Sequence, residues 1–455
     1  MALNQGKMRQ AMVDAPKAAR NARAFHWPLE FPDVMQRGGF DVVVGNPPWD
    51  ILQQEDGSSS ELADRLKEVF KFKPYDALSG RRDLYKLFLC RLPDLLKPDG
   101  VSGLLVPVGY LVEEDCTGLR HRLWENGTIE KIAHFQNAKH AFFSRVHASY
   151  RFSIIEYKKS KREEHWFSYT ITDPTFILTE DLGVSLRGKP FEEYLASGAF
   201  GELHKDINGL RAHQSILAAP AYAPSLRFGL TAEWHATTHK TFAISHDNPN
   251  ARPVGKNRDI HQFNDNFADA SFFVSSRDAD LRAQEKGVLL DEDRSRILIR
   301  DIARNDDTVT LISCLTNKKL SSYDTPAVQI TGLRADSISR EAAYLLLGYL
   351  NSRIADFIIR PFVDKHIKGY VLRRVPVPQI DTDSPKAKAV IQIASQLNDL
   401  GSDAGSQVLW DVPRGKELLR NLDVVVADWL GINQADCAVV FREFPHLYDE
   451  LLVVA

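Results

Sequence analysis

The chain has 455 residues, of which 44% are hydrophobic, 26% are charged and 10% are aromatic. This composition is typical of a folded globular protein and excludes a disordered or fibrous chain. The formal net charge of −3 excludes a protein that coats nucleic acid through bulk charge, so any such contact must come from a local basic cluster. The length allows roughly three domains at about 150 residues each.

No transmembrane segment is expected. The longest apolar stretch, 101–112, is interrupted by serine, glycine and proline, and it is shorter than the roughly 20 apolar residues that a membrane helix needs. The N-terminal residues also contain no apolar core of a secretory signal. A cytoplasmic location is therefore expected.

Strands and helices alternate in the first part of the chain. The run Phe40–Gly45, FDVVVG, is continuously apolar after its second residue, a pattern that favours a strand buried on both faces of a parallel sheet. The elements predicted after it are a helix over 83–95, a turn at 98–100, a strand at 101–106, a helix near 119–125, and strands near 129–135 and 149–157. This alternation predicts an α/β layer with a largely parallel sheet.

The pattern changes near residue 158 to charged loops and short strands, which predicts four regions. They are a partial α/β layer over 1–158, a linker or insertion over 159–220, a mixed α+β unit over 221–383 and a helical C-terminal region over 384–455. In the last region an apolar stripe recurs at helical spacing, which indicates core packing; its members are Leu418, Leu419, Leu422, Val425, Val426 and Trp429.

The strongest motif follows the first strand directly, as Asn46-Pro47-Pro48-Trp49. The two prolines disfavour a helix and hold the backbone in an extended turn. The carboxyl end of a strand is also where open α/β sheets bind ligands. The motif therefore marks a candidate catalytic site.

The motif suits chemistry on a weak amine nucleophile such as the exocyclic amine of adenine. The Asn46 side-chain oxygen and the Pro47 carbonyl oxygen can each accept one N–H, which directs the nitrogen lone pair toward a methyl donor. Pro48 keeps these acceptors rigid, and Trp49 can stack on a base rotated out of the duplex. The structural alternative is a proline-stiffened loop with a buried tryptophan.

On these residues the chain resembles the γ-type N6-adenine DNA methyltransferases, and in particular the C-terminal portion of type IIG restriction–modification enzymes and related phage-defence methylases. FDVVVGNPPWD is similar to their motif IV, and Arg81–Pro107 is similar to the helix, turn and strand that follow it. The resemblance implies a partial Rossmann-like methyltransferase sheet over 1–158. It also implies S-adenosyl-L-methionine as cofactor, with Asn46 and Pro47 at its edge, and double-stranded DNA as substrate.

Later segments resemble other parts of the same family in the same order. Ala141–Val146, AFFSRV, resembles an aromatic motif whose phenylalanine stacks on the flipped base; this role falls on Phe143, with Phe142 as the alternative and plain core packing as the structural interpretation. The segments that resemble the family's DNA target-recognition domain and terminal helix are 255–263, 300–304, 350–352, 376–378 and 416–432.

Basic residues cluster in the predicted recognition domain. The candidate DNA contacts are Lys256, Arg258, Arg300, Arg304, Arg360, Lys365, Lys368, Arg373 and Arg374, with His366 and Tyr370 among the last group. Such a patch can follow phosphates although the whole chain is slightly acidic, and a solvated charged face is the alternative. His235 and His239 have zinc-ligand spacing, but no third ligand is evident, and no metal site is expected.

The resemblance also implies a glycine-containing cofactor motif before motif IV, and the first 45 residues contain none. The expected function is therefore that of a split or truncated adenine methyltransferase that needs an N-terminal partner carrying this motif. Without the strands of such a partner, the three valines of FDVVVG would lie at an exposed sheet edge. An associated nuclease motif is not evident either. The alternatives are a non-catalytic DNA-specificity module and, less favoured, a methyltransferase acting on RNA or on glutamine amides.

Overall fold

The computed structural model describes most of the chain, namely residues 25–50, 74–80, 83–162, 164–175, 182–187, 204, 206–235, 238–265, 272–287, 295–316, 321–322, 325–331, 338–363, 365–404 and 408–448. Residues 81 and 82, which begin the segment similar to the family's helix and strand, lie outside this set. The chain divides into two compact units, Met1–Phe200 and Gly201–Ala455.

Within its described residues, the first unit contains one six-stranded sheet and five short or medium helices. Its helices are α1 (Trp27–Glu30), α2 (Pro32–Gln36), α3 (Leu84–Leu95), α4 (Gly109–Val112) and α5 (Thr117–Asn126). Its strands are β1 (Phe40–Gly45), β2 (Leu96–Pro107), β3 (Thr128–Gln136), β4 (Arg151–Lys158), β5 (Glu164–Ile171) and β6 (Gly183–Arg187). Every strand and helix predicted up to residue 158 is confirmed within a few residues. The turn predicted at 98–100 is wrong, because β2 begins at Leu96 and passes through these residues with a shift in register against β1.

The strand order in this sheet is β1-β2-β4-β3-β5-β6. Only β1 with β2 and β3 with β5 are parallel, whereas β4 is antiparallel to both of its neighbours and β6 is antiparallel to β5. The prediction of a largely parallel sheet was therefore wrong. The loop 137–150 between β3 and β4 contains no α-helix that could carry the chain across the sheet, and β4 returns antiparallel beside β3.

The first strand is also not buried on both faces, as its apolar sequence predicted. Within the described residues β1 pairs only with β2 and forms one edge of the sheet, where Val42 is 61% exposed and Val44 is 78% exposed. The aromatic rings of Trp27 and Phe31 pack edge-on against Phe40 at 5.4 and 5.5 Å between centroids, and so cover the start of the strand. These rings do not reach the middle of the strand, where Val42 and Val44 are exposed as the sequence predicted for an edge without a neighbouring strand.

The second unit has a larger core, built from mixed sheets and helices. Its helices are α6 (Ile207–Leu217), α7 (Ser276–Glu285), α8 (Arg340–Leu350), α9 (Arg353–Ile359), α10 (Gly369–Leu372), α11 (Pro385–Ala404), α12 (Pro413–Leu430) and α13 (Gln434–Arg442). Its main strands are β7 (Tyr222–Thr231), β8 (Ala251–Gly255), β9 (Ile260–His261), β10 (Asn264–Asp265), β11 (Phe273–Ser275), β12 (Arg296–Ile299), β13 (Ser313–Thr316), β14 (Ser321–Ser322), β15 (Ala327–Thr331) and β16 (Pro376–Pro378).

The largest sheet of this unit has the order β13-β12-β15-β7-β16, and all of its neighbouring strands are antiparallel. The helices α8 and α9 contribute many of the buried side chains in the core of this unit. Among the described residues no single helix is long and apolar enough to cross a membrane, although Arg340–Leu350 and Arg353–Phe362 pass that test together as a pair bent by 61°.

The apolar stripe of the C-terminal region packs as predicted. Leu418, Leu419, Leu422 and Val426 on α12 are buried in the core of the second unit, and Val425 and Trp429 pack against it partly buried. The helix ends at Gly431, whose φ of 72° lies in the left-handed region that glycine adopts without a steric penalty.

A buried carboxyl joins this helix to its neighbours. Asp423 accepts hydrogen bonds from the Arg353 backbone N–H at 2.7 Å and from the Tyr448 hydroxyl at 2.8 Å. Burial raises the pKa of Asp423 to about 6, against the opposing effect of Arg353. Because the folded state then holds a proton more tightly than the unfolded state, this group stabilises the fold less as pH rises toward neutrality.

Replacing Asp423 with Asn should therefore change the pH dependence of stability. The free energy of unfolding of the Asp423→Asn variant, relative to wild type, is expected to rise by about 1 kcal/mol between pH 5 and pH 7. Urea unfolding at several pH values measures this difference. Asp428→Asn, which alters an exposed carboxylate of the same helix, is the control. If the difference in free energy of unfolding between Asp423→Asn and wild type does not change with pH, the prediction is wrong.

Candidate functional site

The Asn46–Trp49 loop begins where β1 ends, at the carboxyl edge of the parallel pair that β1 forms with β2. Asn46 is exposed, Pro47 is buried and Trp49 is half-buried. The far end of the loop is held to the next helix, because the Leu84 backbone N–H donates to the Asp50 carbonyl at 3.0 Å. Within the part of the chain that the structure describes, no hydrogen bond engages the Asn46 side chain, which leaves its amide available to a ligand.

Trp49 packs into an aromatic cluster on the sheet. Its ring centroid lies 5.7 Å from that of Phe143, 5.9 Å from that of Phe152 and 6.4 Å from that of Tyr150. The Phe143 ring meets Trp49 edge-on, and the Tyr150 ring lies nearly parallel to it. Two segments that are almost a hundred residues apart in sequence thus meet at one place.

Phe142 and Phe143 occupy different positions in this cluster. Phe142 packs edge-on against Phe135 and Phe152, with ring centroids 5.5 Å away in each case. Phe143 contacts Phe152 at 5.1 Å and also reaches Trp49. The structure therefore brings Phe143, and not Phe142, against Trp49, while both rings remain half-buried.

The sequence interpretation did not single out Asn137, which lies at the end of β3 and is fully buried. Its side chain makes four hydrogen bonds to the backbone of residues 142, 143 and 146. Asparagine is common where a loop must bond its own backbone, and this is the signal that could have identified the residue. Tyr150, which is 48% exposed beside Trp49, was also missed.

A buried lysine lies near the start of α3. The Nζ atom of Lys86 is 2.8 Å from Glu113, 3.1 Å from Asp83 and 3.3 Å from Asp115. Glu113, Asp115 and Cys116 also have a spacing suited to a metal ion. The Lys86 ammonium already supplies positive charge to these carboxylates, and burial raises the pKa of the Cys116 thiol to about 12, so the group is better explained as an ion-pair network.

In the second unit three predicted segments converge on Asp301. Its carboxylate accepts hydrogen bonds from His366 at 2.8 Å and from Lys368 at 3.2 Å. Its backbone N–H donates to the Asn257 side chain at 2.7 Å, and its carbonyl accepts from the Ile367 N–H at 2.8 Å. The basic patch, which we define as Lys256, Arg258, Arg304, Lys365, His366 and Lys368, is carried by these segments.

Most members of the basic patch are open to solvent. Arg258, Arg304, Lys365 and Lys368 are exposed, whereas Lys256 and His366 are half-buried. Ile302, which follows Asp301, is 52% exposed and forms an isolated β-bridge with His366. Arg373 is exposed on the segment after α10, with the ring of Tyr370 nearby in sequence.

Three of the predicted DNA contacts are instead held inside the unit. Arg360 pairs with the buried Asp356 at 2.9 Å and donates to the Asp307 carbonyl, and Arg374 is buried with its guanidinium over the Phe362 ring. Arg300 donates to the Ile260 carbonyl, and burial lowers its pKa. Their placement explains them as structural arginines, because each guanidinium has protein partners in place of a phosphate.

His235 and His239 do not have the arrangement of metal ligands. The Nδ1 atom of His239 accepts the His235 backbone N–H at 2.8 Å, and its Nε2 atom lies 2.8 Å from the Arg282 guanidinium. Both ring nitrogens of His239 are thus engaged within the protein.

Comparison with known proteins shows what the first part of the chain is similar to. Residues 3–142 match the family model described as Eco57I restriction-modification methylase. Over 129 residues the chain is 25% identical to a putative type II restriction enzyme and methyltransferase of Methanocaldococcus jannaschii, a match that covers 28% of this chain and 10% of that protein. Over 91 residues it is 30% identical to the type II methyltransferase M.TthHB8I of Thermus thermophilus, covering 20% of this chain and 21% of that protein.

The predicted resemblance is therefore confirmed over residues 3–142, which are similar to restriction–modification methylases. The matches span at most 21% of the length of these two relatives. Among solved structures, the type IIL restriction-modification enzyme MmeI in complex with DNA aligns at 13% identity with a TM-score of 0.48, covering 94% of this chain and 59% of that one. The type IIG restriction endonuclease BpuSI aligns at 14% identity with a TM-score of 0.33, covering 85% and 54%.

The placement of Arg360 leads to a stability prediction. Arg360→Ala removes the guanidinium that pairs with the fully buried Asp356 carboxylate, and this should lower the free energy of unfolding by about 3 kcal/mol. Urea unfolding monitored by circular dichroism measures the loss. Arg304→Ala, at an exposed position of the basic patch, should stay within about 0.5 kcal/mol of wild type. Equal stability of the two variants would contradict the structural role of Arg360.

Proposed function

We propose that this protein is the catalytic and recognition portion of a site-specific DNA adenine N6-methyltransferase of a restriction–modification or phage-defence system. The observation that carries the proposal is the meeting of the Asn46–Trp49 loop with Phe143 at the carboxyl edge of the sheet. A rigid pair of hydrogen-bond acceptors beside two aromatic rings is what a flipped adenine requires.

In the proposed reaction the chain holds and orients the amine of the flipped base. The Asn46 side-chain oxygen and the Pro47 carbonyl oxygen each accept one N–H of the exocyclic amine, which draws its lone pair out of the plane of the ring. Trp49 and Phe143 replace the stacking that the base loses when it leaves the duplex. Pro48 keeps the acceptors in place before the substrate arrives. S-adenosyl-L-methionine supplies the methyl group when it is bound.

The described residues provide one side of a site for that cofactor. Asn46 and Pro47 lie at its proposed edge, but the open side of β1 has no neighbouring strand among the described residues. An exposed strand edge with two exposed valines is costly in water and invites pairing with another strand. We therefore propose that a polypeptide segment carrying the remaining strands and most of the cofactor pocket pairs with β1, as an N-terminal partner.

The basic patch in the second unit is the proposed DNA-recognition surface, together with Arg373. Its exposed cations can neutralise phosphates. Because Asp301 holds the segments that carry these cations in place, it would also orient the cations toward the DNA. Arg300, Arg360 and Arg374 are left out of this proposal because their guanidinium groups have internal partners.

A second candidate is a non-catalytic DNA-specificity module that retains part of a methyltransferase sheet. The lack of a glycine-containing cofactor motif in the residues before Asn46 favours it, because such a module needs no cofactor. Equilibrium binding of S-adenosyl-L-methionine to the full chain, alone and with the polypeptide encoded immediately upstream, separates the two candidates. Binding in either case supports the enzyme, and its absence in both supports the module.

Asn46→Ala tests the motif directly. Loss of one of the two acceptors should lower the rate of methyl transfer to unmethylated genomic DNA at least about 100-fold, while the Kd for DNA changes by less than about twofold. The assay uses the full chain with the upstream polypeptide and follows transfer of a labelled methyl group. Asn126→Ala is the matched control, because its amide bonds only the Arg122 carbonyl of its own helix. Full activity of Asn46→Ala would disprove the assignment of the motif.

Lys365→Ala tests the DNA-recognition surface. Removing one phosphate contact should weaken binding to a duplex of any sequence and reduce the slope of log K against log salt concentration by about 1. Gel-shift titrations at salt concentrations from about 50 to about 200 mM measure the slope, because phosphate contacts weaken strongly over this range. Lys388→Ala, at an exposed lysine on α11, should leave it unchanged. Equal slopes for both variants would place the DNA elsewhere.

A further inference from the structure

Asn137 stands at the start of the loop between β3 and β4 and bonds to its far end. Asn137 donates its backbone N–H to the Tyr150 carbonyl at 2.9 Å, and its carbonyl accepts the His140 N–H at 2.8 Å. Lys139 and His140 have φ values of 54° and 59°, in the left-handed region that non-glycine residues rarely adopt. A chain reversal of this kind is maintained only when surrounding contacts hold it.

The side chain of Asn137 supplies four such contacts within the loop, and the Nδ1 atom of His140 adds one to the Val146 carbonyl at 2.9 Å. Its oxygen accepts the backbone N–H groups of Phe142 at 3.0 Å and Phe143 at 2.9 Å. Its nitrogen donates to the carbonyls of Phe143 and Val146, both at 2.8 Å. The carboxamide thus uses both acceptor positions and both donors, and only asparagine and glutamine offer this set. Asn137 is fully buried, so it acts on the loop and not on solvent.

These bonds determine where the Phe143 ring can lie. Because both the N–H and the carbonyl of Phe143 are bonded to Asn137, the backbone of this residue is fixed on both sides. The ring then projects against Trp49 at 5.7 Å and Phe152 at 5.1 Å. The carbonyl of Tyr150, whose ring lies parallel to Trp49, is held by the same asparagine.

We propose that Asn137 is a positioning residue for the target base, which holds the Phe143 ring beside Trp49 so that the two rings receive the flipped adenine. The proposal rests on the proposed function for the identity of the base. Asn137 itself touches neither DNA nor cofactor. It acts through Phe143, because stacking requires a ring that is already in position when the base arrives.

The test is a double-mutant cycle between Asn137 and Phe143, measured with the full chain and the upstream polypeptide. Asn137→Ala should lower kcat on unmethylated genomic DNA about 100-fold, the size expected for a reacting group misplaced by about 1 Å, while KM for DNA stays within about threefold. Phe143→Leu should lower kcat by a similar factor. The double variant should be no slower than Phe143→Leu alone, because both changes remove the same ring position.

A merely structural role of Asn137 gives a different result. In that case the losses in kcat of the two single variants multiply in the double variant, and the proposal is overturned. Unchanged kcat in Asn137→Ala also overturns it. Asn137→Asp, which places a buried carboxylate oxygen against the Phe143 and Val146 carbonyls, should lose at least as much kcat as Asn137→Ala, and wild-type kcat in this variant would overturn the proposal. Asn126→Ala is the control with wild-type kcat.

Hydrogen exchange distinguishes a failure of this proposal from a failure of the proposed function. The amides of Phe142 and Phe143 should exchange slowly in the wild-type chain and at least about tenfold faster in Asn137→Ala, with the strands β3 and β4 still protected. This outcome supports the positioning role even if the wild-type chain methylates no DNA. Equal exchange at these two amides in both proteins overturns it, whatever the activity.

Discussion

The candidate site depends on one buried ring, that of Phe152 at the start of β4. Because β4 lies between β2 and β3, this residue is directly opposite Pro107 on one side and Phe135 on the other. Its ring stacks on Phe135 at 5.2 Å and also contacts Trp49, Phe142 and Phe143. Such pairs add about 0.5–1.5 kcal/mol each beyond the burial of area. The loops after β1 and β3 therefore meet at the sheet because they pack on the same side chain.

The open edge of β1 is the second constraint on this unit. A strand normally satisfies its backbone on both sides or is protected by charge, proline or a covering element. Here the aromatic residues of the preceding segment cover Phe40, and Lys97 pairs with Asp41, yet Val42 and Val44 remain exposed. The proposed partner would satisfy this edge and complete the cofactor site with the same strands.

In the second unit two buried carboxylates decide which cations are exposed. Asp356 is fully buried and engages Arg360 together with the backbone of Thr310 and Leu311, so this arginine serves the fold. Asp301 instead lies near the surface beneath His366 and Lys368, and it holds their segments while leaving neighbouring lysines and arginines in solvent. Basic residues that are equivalent in sequence thus take different roles, since a buried charge needs a partner and an exposed one does not.

The sequence by itself determined most strands and helices between residues 40 and 158, the C-terminal core stripe, the Asn46–Trp49 motif and the resemblance to restriction–modification methylases. Each of these follows from local periodicity or from neighbouring residues. It did not predict α1, α2, α4, β5 or β6. Tertiary structure alone decided the rest. Strand direction, the exposure of FDVVVG and the internal partners of Arg300, Arg360 and Arg374 depend on which segments pair across the sheet or core. The contact of Phe143 with Trp49 and the four hydrogen bonds of Asn137 likewise join residues whose proximity arises only when β3 and β4 pair.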